Sequence, residues 1–221
     1  MDKQTINVPG AEEFARPQTR RDFFKVLAVA SVGAAAGTAF LTSNSASAQG
    51  GGDADIFNFA LTLEFLERDF YQMALDKGVL SGPALGVVTN LRDHEAAHVN
   101  AITAALQGAG ATPVAEPKFN FPPDALASQD GVLKLASVLE PTGVGAYLGA
   151  GPMIQNPAFL EAAGTIAGVE GDHVVAVNNL IGVKPPANTA FAKALTKDQV
   201  LAAAAPFLGM GSMPATGGPG A

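Results

Sequence analysis

Cysteine and tryptophan are absent from this 221-residue chain, and histidine and tyrosine are rare, with 3 and 2 copies. Without cysteine the protein has no disulfides, thiolate metal sites or iron-sulfur clusters, so only oxygen and nitrogen atoms remain as metal ligands. Basic residues are also few: 13 Lys and Arg stand against 20 Asp and Glu, which gives a formal net charge of −7. This acidic balance argues against nucleic acid and against anionic membranes as partners.

The first part of the chain has the pattern of an export signal. Residues 19–25 (TRRDFFK) contain a twin-arginine motif, residues 26–41 are apolar, and residues 46–48 (ASA) form a small-residue cleavage pattern. The apolar stretch is short and interrupted by glycine for a membrane-spanning helix, although an uncleaved anchor is the alternative. We therefore expect residues 1–48 to be a signal peptide for the twin-arginine export machinery, and the mature protein to be periplasmic or extracellular.

A Glu-x-x-His pattern occurs twice in the remaining chain, as Glu95-Ala-Ala-His98 and as Glu170-Gly-Asp-His173. A glutamate and a histidine three positions apart lie on the same face of a helix. One helical turn can then offer a carboxylate oxygen and an imidazole nitrogen to the same metal ion. Each pattern therefore predicts half of a metal site.

The same upstream feature precedes both patterns by about thirty positions: a glutamate, Glu64 or Glu140, followed seven positions later by a tyrosine. These tyrosines, Tyr71 and Tyr147, are the 2 tyrosines of the chain. Two turns of helix place each tyrosine on the face of its glutamate. Each tyrosine is therefore expected to hydrogen-bond a ligand carboxylate, to be a redox-active neighbour, or to be an ordinary core residue.

Four antiparallel helices carrying this repeat would bring four carboxylates and two imidazoles to one point. That ligand set suits two iron ions or two manganese ions. Buried carboxylates without a counter-ion are too costly to tolerate, and a pair of metal ions supplies the charge. The predicted ligands are Glu64, Glu95, His98, Glu140, Glu170 and His173.

Glu67 competes with Glu64 for the ligand position on the first helix, because it lies one turn away on a similar face. The repeat favours Glu64, whose counterpart in the second half is Glu140, whereas the counterpart of Glu67 is Gly143. We therefore expect Glu67 to lie beside the ligands or at the surface, and its replacement by alanine to have little effect, although Glu67 remains a candidate ligand.

A rival interpretation arises because His94-Glu95-Ala-Ala-His98 matches the His-Glu-x-x-His motif of zinc metalloproteases. In that interpretation both histidines bind zinc and Glu95 is the general base. It leaves Glu170, His173 and the repeat unexplained, and the sequence offers no visible third ligand or substrate cleft. In the favoured interpretation His94 is an exposed neighbour or lies behind the ligands.

Apolar residues at spacings of three and four predict helices over residues 56–77, 81–110, 130–148 and 157–181, with a short fifth helix between Thr196 and Pro206. Residues 110–128 contain four prolines and are long enough to cross from one end of a bundle to the other. Pro141 follows Glu140 inside the third helix, where it is expected to cause a kink or a break. Residues 49–55 and 209–221 are rich in glycine, so we expect a mobile start and a disordered tail.

The ligand arrangement resembles the ferritin-like di-iron superfamily, which also contains rubrerythrin-like and manganese-catalase-like proteins. Residues 63–67 (LEFLE), 143–150 (GVGAYLGA) and 203–207 resemble bacterial ferritin-like domain proteins related to plant desiccation proteins. The resemblance covers residues 54–208. It implies an all-α fold: a ferritin-like antiparallel four-helix bundle over residues 49–208, with a long crossover between helices 2 and 3 and a short C-terminal helix.

The resemblance and the ligand set together imply an exported dimetal protein that uses iron or manganese with O₂ or H₂O₂. The expected activity is that of a ferroxidase or a catalase-like peroxide scavenger in stress defence, hence an oxidoreductase. The alternative is a non-catalytic metal-binding or structural protein of desiccation or envelope protection. The sequence leaves open which metal binds, whether the site turns over, and whether the chain forms homo-oligomers.

Overall fold

The computed structural model of the protein describes residues 52–208. Its α-helices are α1 (Asp53–Asp76), α2 (Gly82–Gly108), α3 (Gln129–Ala150), α4 (Pro157–Leu180) and α5 (Lys197–Ala204). Two 3-10 helices, Pro123–Leu126 and Gly151–Met153, flank α3. Residues 52–208 contain no β-strand beyond one isolated bridge between Phe119 and Leu208. The prediction of an all-α fold is therefore confirmed for this part of the chain.

The predicted signal peptide, residues 1–48, and the predicted tail, residues 209–221, lie outside the described residues. None of the helices between residues 52 and 208 is both long enough and apolar enough to span a membrane.

A short turn joins α1 and α2. Gly78 follows the end of α1 with φ 63°, a left-handed conformation that glycine adopts without strain. Ser81 is extended at the start of α2, and Pro83 lies in its first turn, where a missing backbone N–H costs nothing. The chain therefore reverses within a few residues, and α1 and α2 pack as neighbours.

The start of α1 differs from the expectation. Residues 53–55, predicted to be part of a mobile segment, form the first helical turn. The carboxylate of Asp53 accepts hydrogen bonds from the backbone N–H groups of Gln155, at 2.9 Å, and Asn156, at 2.6 Å. These bonds join the start of α1 to the turn before α4, so contacts distant in sequence order a segment whose composition predicts mobility.

Pro141 lies inside α3, which is a single helix from Gln129 to Ala150, so the predicted alternative of a break into two helices is wrong. Proline removes the N–H that would bond the carbonyl of Ser137. The proline itself is exposed, so water can hydrate the carbonyl on that side of the helix. Glu140 points to the buried side, where its neighbours in the helix keep their register.

Residues 109–128 form the crossover between α2 and α3, and they pack on the end of the described chain. Asn120 donates its backbone N–H to the carbonyl of Phe207 at 2.8 Å. The ring of Phe121 lies between Phe70 of α1 and Phe207, with centroid distances of 5.3 and 5.8 Å. The crossover is thus anchored by apolar packing and by a backbone hydrogen bond.

The crossover makes α1 and α3 antiparallel neighbours. The Tyr71 hydroxyl donates to Glu140, and the Tyr147 hydroxyl donates to Glu64. The later residue of α1 thus contacts the earlier residue of α3, and the earlier residue of α1 contacts the later residue of α3. The predicted antiparallel four-helix bundle with a long crossover and a short C-terminal helix is confirmed within residues 52–208.

Two apolar layers enclose the middle of the bundle. On one side, Leu66, Phe70, Leu91, Val132 and Leu133 belong to a buried cluster. On the other, the rings of Phe57 in α1 and Phe159 in α4 stack with centroids 4.2 Å apart. Each fully buried apolar side chain of this size stabilises the fold by roughly 1.5–3 kcal/mol. The layers keep water from the polar residues between them.

Candidate metal centre

Six acidic and imidazole side chains meet between these layers. The exposed fraction of each is 8% or less, and it is 0% for three of the four glutamates. They are Glu64 from α1, Glu95 and His98 from α2, Glu140 from α3, and Glu170 and His173 from α4. The structure therefore brings all six predicted ligands together; that they bind metal remains a prediction.

Their potential ligand atoms form two overlapping groups, each with its atoms within 4.8 Å of one another. The first position consists of Glu64, Glu95, His98 and Glu170, and the second position of Glu95, Glu140, Glu170 and His173. Glu95 and Glu170 belong to both positions. This cluster could hold metal ions at two adjacent points.

His98 faces three carboxylates through one nitrogen. Its Nδ1 atom lies 2.9 Å from Glu95 Oε2, 3.0 Å from Glu64 Oε2 and 3.3 Å from Glu170 Oε1. A single Nδ1–H donates to one acceptor at full strength, so three acceptors exceed what this imidazole can satisfy. Such an excess of acceptor oxygens is expected where ligand atoms surround a cation.

His173 repeats this environment in the second position. Its Nδ1 atom lies 3.0 Å from Glu95 Oε1, 3.2 Å from Glu140 Oε2 and 4.0 Å from Glu170 Oε2. Each histidine therefore contacts the upstream glutamate of its own half and the Glu-x-x-His glutamates of both halves. The sequence repeat corresponds to an approximate twofold symmetry of the centre.

The tyrosines connect the two halves. Tyr71 donates its hydroxyl hydrogen to Glu140 Oε1, and Tyr147 donates to Glu64 Oε1, and both rings are buried. Of the three roles considered for the tyrosines, the structure displays the hydrogen bond to a carboxylate of the cluster. Because Oε1 of each glutamate is held by a tyrosine, Oε2 is directed towards the histidine of the same half.

Two carboxylate oxygens beside the centre lack partners, and two more have only an imidazole nitrogen that they share with other carboxylates. Glu67 Oε2 and Glu170 Oε2 are buried without a hydrogen bond in the described part of the chain. Glu95 Oε1 has only His173 Nδ1 in reach, at 3.0 Å, and Glu170 Oε1 has only His98 Nδ1, at 3.3 Å. Burying a polar group without a partner costs on the order of 2–7 kcal/mol. A cation or a proton can compensate this cost for a carboxylate oxygen. Oxygen and imidazole donors without thiolate suit iron or manganese. The residues present therefore fit a pair of such ions.

Burial dominates the acid–base properties of most of these glutamates. It raises the pKa of Glu64 from 4.5 to about 7, although the hydrogen bond with His98 acts in the opposite direction. It also raises the pKa of Glu140, and it raises the pKa values of Glu67 and Glu170 well above the ordinary value. Repulsion from neighbouring carboxylates adds to the burial effect for each of these three. Protons can therefore compensate the cluster when no metal is bound.

Glu95 and the histidines carry the opposite charges of an ion-pair network. Burial by itself raises the pKa of Glu95, but hydrogen bonds with His173 and His98 lower it to about 2. Burial lowers the pKa of both imidazoles, yet the surrounding carboxylates raise it to about 12 for His98 and about 10 for His173. Metal binding would have to displace these protons, because only neutral imidazole and ionised carboxylate are ligands.

For two neighbours of the cluster, the structure supports the alternative beside or behind the ligands over the exposed one. Glu67 has an exposed fraction of 3%, so the alternative that it lies at the surface is wrong. His94 is partly buried, and its Nδ1 lies 2.9 Å from Nε2 of His173. The sequence indicates the burial of Glu67 by its spacing: it lies three residues after Glu64 and four before Tyr71, on the same helical face.

The position of His94 bears on the metalloprotease interpretation. Neither ligand group includes His94, whereas His98 is grouped with three glutamates from three helices. The His-Glu-x-x-His motif requires both histidines at one metal. Within residues 52–208 the geometry thus favours the two Glu-x-x-His pairs over a zinc protease motif.

Cavities next to the centre are small. One of about 10 Å³ borders Glu67 and Gly143, and another of about 20 Å³ borders Tyr147. A larger groove of about 600 Å³ lies between α3, α4 and the segment 186–195, and none of the six clustered residues lines it. None of the six clustered residues lines either small cavity.

A family model described as a ferritin-like domain matches residues 52–183. This match covers more than half of the chain and includes α1 to α4 with all six residues of the cluster. No curated protein matches the sequence.

Proposed function

Since the chain belongs to the ferritin-like domain family, we propose that it binds two iron ions or two manganese ions between its four long helices. One observation carries the proposal: four nearly inaccessible carboxylates and two imidazoles converge, and the oxygens of Glu95 and Glu170 have no donor in reach beyond the two imidazole nitrogens that they share with other carboxylates. These two glutamates belong to both ligand groups, so they would serve both ions.

The surrounding residues orient the ligands and exclude water. Tyr71 and Tyr147 each fix one oxygen of a glutamate and direct the other towards a histidine. His94 contacts Nε2 of His173, which leaves Nδ1 of that imidazole facing the cluster. Contacts of this kind set the tautomer and angle of a ligand.

For activity, we propose ferroxidase or peroxide-scavenging chemistry in stress defence. When bound, the two ions would supply one-electron redox chemistry for oxidising Fe²⁺ with O₂ or for decomposing H₂O₂. Hard oxygen and imidazole donors, which stabilise the oxidised as well as the reduced ions, support this proposal.

A second candidate is a non-catalytic metal-binding or structural protein of desiccation or envelope protection. The burial of the centre favours it, because the exposed fraction of each of the six clustered side chains is 8% or less. Ions bound in such a centre can stabilise the bundle without turnover.

Export by the twin-arginine route also belongs to the proposal, and the motif at residues 19–25 supports it. This route carries folded proteins, so metal could be inserted before export. Changing Arg20 and Arg21 to lysine should retain the protein in the cytoplasm. Export that continues in this variant would contradict the proposed route.

The decisive experiment starts from protein purified from its exported fraction. Elemental analysis gives the bound metal, and consumption of Fe²⁺ with O₂ and of H₂O₂ is then measured. Bound iron or manganese with turnover supports the oxidoreductase. Bound metal without turnover supports the second candidate, and protein that neither contains nor takes up metal contradicts both.

A further inference from the structure

Glu67 is a fifth buried carboxylate beside the two metal positions. Its exposed fraction is 3%, and its Oε2 atom is buried without a hydrogen-bond partner. Among residues 52–208, no lysine or arginine forms an ion pair with it. A fifth carboxylate in such a place needs a positive partner, and the cluster of ligands is where a cation would be.

Gly143 provides the space that Glu67 occupies. A Cβ atom at position 143 would lie 3.0 Å from Glu170 Oε2 and 3.4 Å from Glu67 Oε1. The carboxylates of Glu67 and Glu170 therefore approach the same point on α3, where a larger residue than glycine would be in tight contact with Glu170. In the sequence repeat Gly143 is the counterpart of Glu67, so one half of the bundle supplies a carboxylate and the other half supplies the space.

Neither ligand group includes Glu67 as its side chain stands, but its neighbours point to the second metal position rather than the first. Along α1, Glu64 belongs to the first position, and Tyr71 contacts Glu140 of the second position. Glu67 lies between them on the same face. The oxygen of Glu170 that faces Gly143 is Oε2, whereas Oε1 is the oxygen that lies 3.3 Å from His98 in the first position.

We propose that Glu67 is a seventh ligand that serves the second position alone, so that the two metal positions are inequivalent. The inference rests on the proposed dimetal function and goes beyond it, because the sequence repeat by itself implies two equivalent positions.

The inequivalence has a thermodynamic consequence. One more carboxylate gives the second position a larger negative charge, which strengthens the binding of a divalent cation there. The first equivalent of metal is therefore expected to bind at the second position, and the next equivalent more weakly at the first. Two separate steps should appear in a titration.

The test compares Glu67→Gln, which keeps the shape and removes the charge, with Glu161→Gln on the exposed side of α4 as the matched control. Metal-free protein is titrated with Co²⁺, whose visible absorption reports ligand number, and with Mn²⁺ by calorimetry. The wild type and Glu161→Gln should take up two ions in two steps. In Glu67→Gln the tighter step should weaken by about 10- to 100-fold, and its Co²⁺ spectrum should change.

A second variant removes the carboxylate altogether. Glu67→Ala should weaken the tighter step at least as much as Glu67→Gln, contrary to the small effect expected from the sequence repeat. If Glu67→Gln or Glu67→Ala binds both ions like Glu161→Gln, the seventh ligand is refuted while the dimetal function stands. A wild type that binds no ion refutes both. Circular dichroism shows that each variant is folded.

Discussion

Tyr147, on α3, donates its hydroxyl hydrogen to the carboxylate of Glu64, on α1, 83 positions earlier in the chain. Tyr71 and Glu140 form the reciprocal bond across 69 positions. Each half of the repeat therefore orients a carboxylate of the other half. Neither half has a complete centre alone, which explains why the glutamate and the tyrosine occur together in both copies.

Removing one of these hydroxyls should weaken metal binding without unfolding the bundle. Tyr147→Phe keeps the buried ring but frees Glu64 Oε1, so Glu64 is no longer held towards His98. Loss of such an outer partner typically lowers metal affinity about 10- to 100-fold. Calorimetric titration with Mn²⁺ measures the change. Tyr71→Phe should show the same loss by acting on Glu140, and an affinity unchanged in both variants would contradict the orienting role.

Removing either imidazole should lower metal occupancy and leave helix content nearly intact. His98→Ala and His173→Ala each delete one nitrogen ligand, while the apolar layers that hold the helices together remain. Elemental analysis measures bound metal, and circular dichroism measures helix content. Full metal occupancy in both variants would show that the ions bind elsewhere in the protein.

Metal-free protein should lose stability as the pH rises. Burial raises the pKa of Glu64 from 4.5 to about 7, so between these values the folded state holds a proton that the unfolded chain has released. The pKa of His173, raised from 6.5 to about 10, acts in the same direction above pH 6.5. This contribution to stability is therefore greatest at the lowest pH. It is lost as the pH rises from 4.5 to about 7 for Glu64 and from 6.5 to about 10 for His173.

The metal-loaded protein should show the opposite slope, because binding requires deprotonated ligands and releases protons. Thermal unfolding between about pH 5 and about pH 9, with and without Mn²⁺, measures both slopes. Glu95, whose pKa is lowered to about 2, contributes no change in this range. Parallel slopes with and without Mn²⁺ would contradict metal binding by these titrating groups.

A methyl group at Gly143 should stabilise the protein less than a methyl group at an exposed helical glycine. Gly164→Ala in α4 meets nothing within 4 Å and should stabilise the protein by about 0.5–1 kcal/mol, the usual gain in a helix. Gly143→Ala should forfeit that gain, because its Cβ atom would lie 3.0 Å from Glu170 Oε2. It should also weaken Mn²⁺ binding. Denaturant unfolding and titration compare the two variants, and equal behaviour would refute the close approach.

The sequence contains enough information to predict the helices and the clustering of the six residues, because both depend on local periodicity. Spacings of three and seven on a helix fix which side chains share a face, and the crossover over residues 109–128 fixes which helices meet. The structure places the six residues together as those rules require. Their binding of metal stays a prediction.

Other features depend on contacts between distant segments and were not predictable in that way. The burial of Glu67 requires the space at Gly143, and the ordered start of α1 requires the N–H groups of the turn before α4. Likewise Pro141 does not divide α3, because the exposed side of the helix tolerates the missing donor. Helical spacing limits the options for such residues but does not choose among them.

The cluster contributed by α1, α2, α3 and α4 is proposed to hold two metal ions. Elemental analysis of the purified protein, together with its Glu95→Gln, Glu170→Gln double variant, measures this most directly. Two iron or two manganese ions per chain in the wild type, and almost none in the variant, are the predicted result. No iron or manganese in the wild type after anaerobic loading, or equal amounts in both proteins, would contradict it.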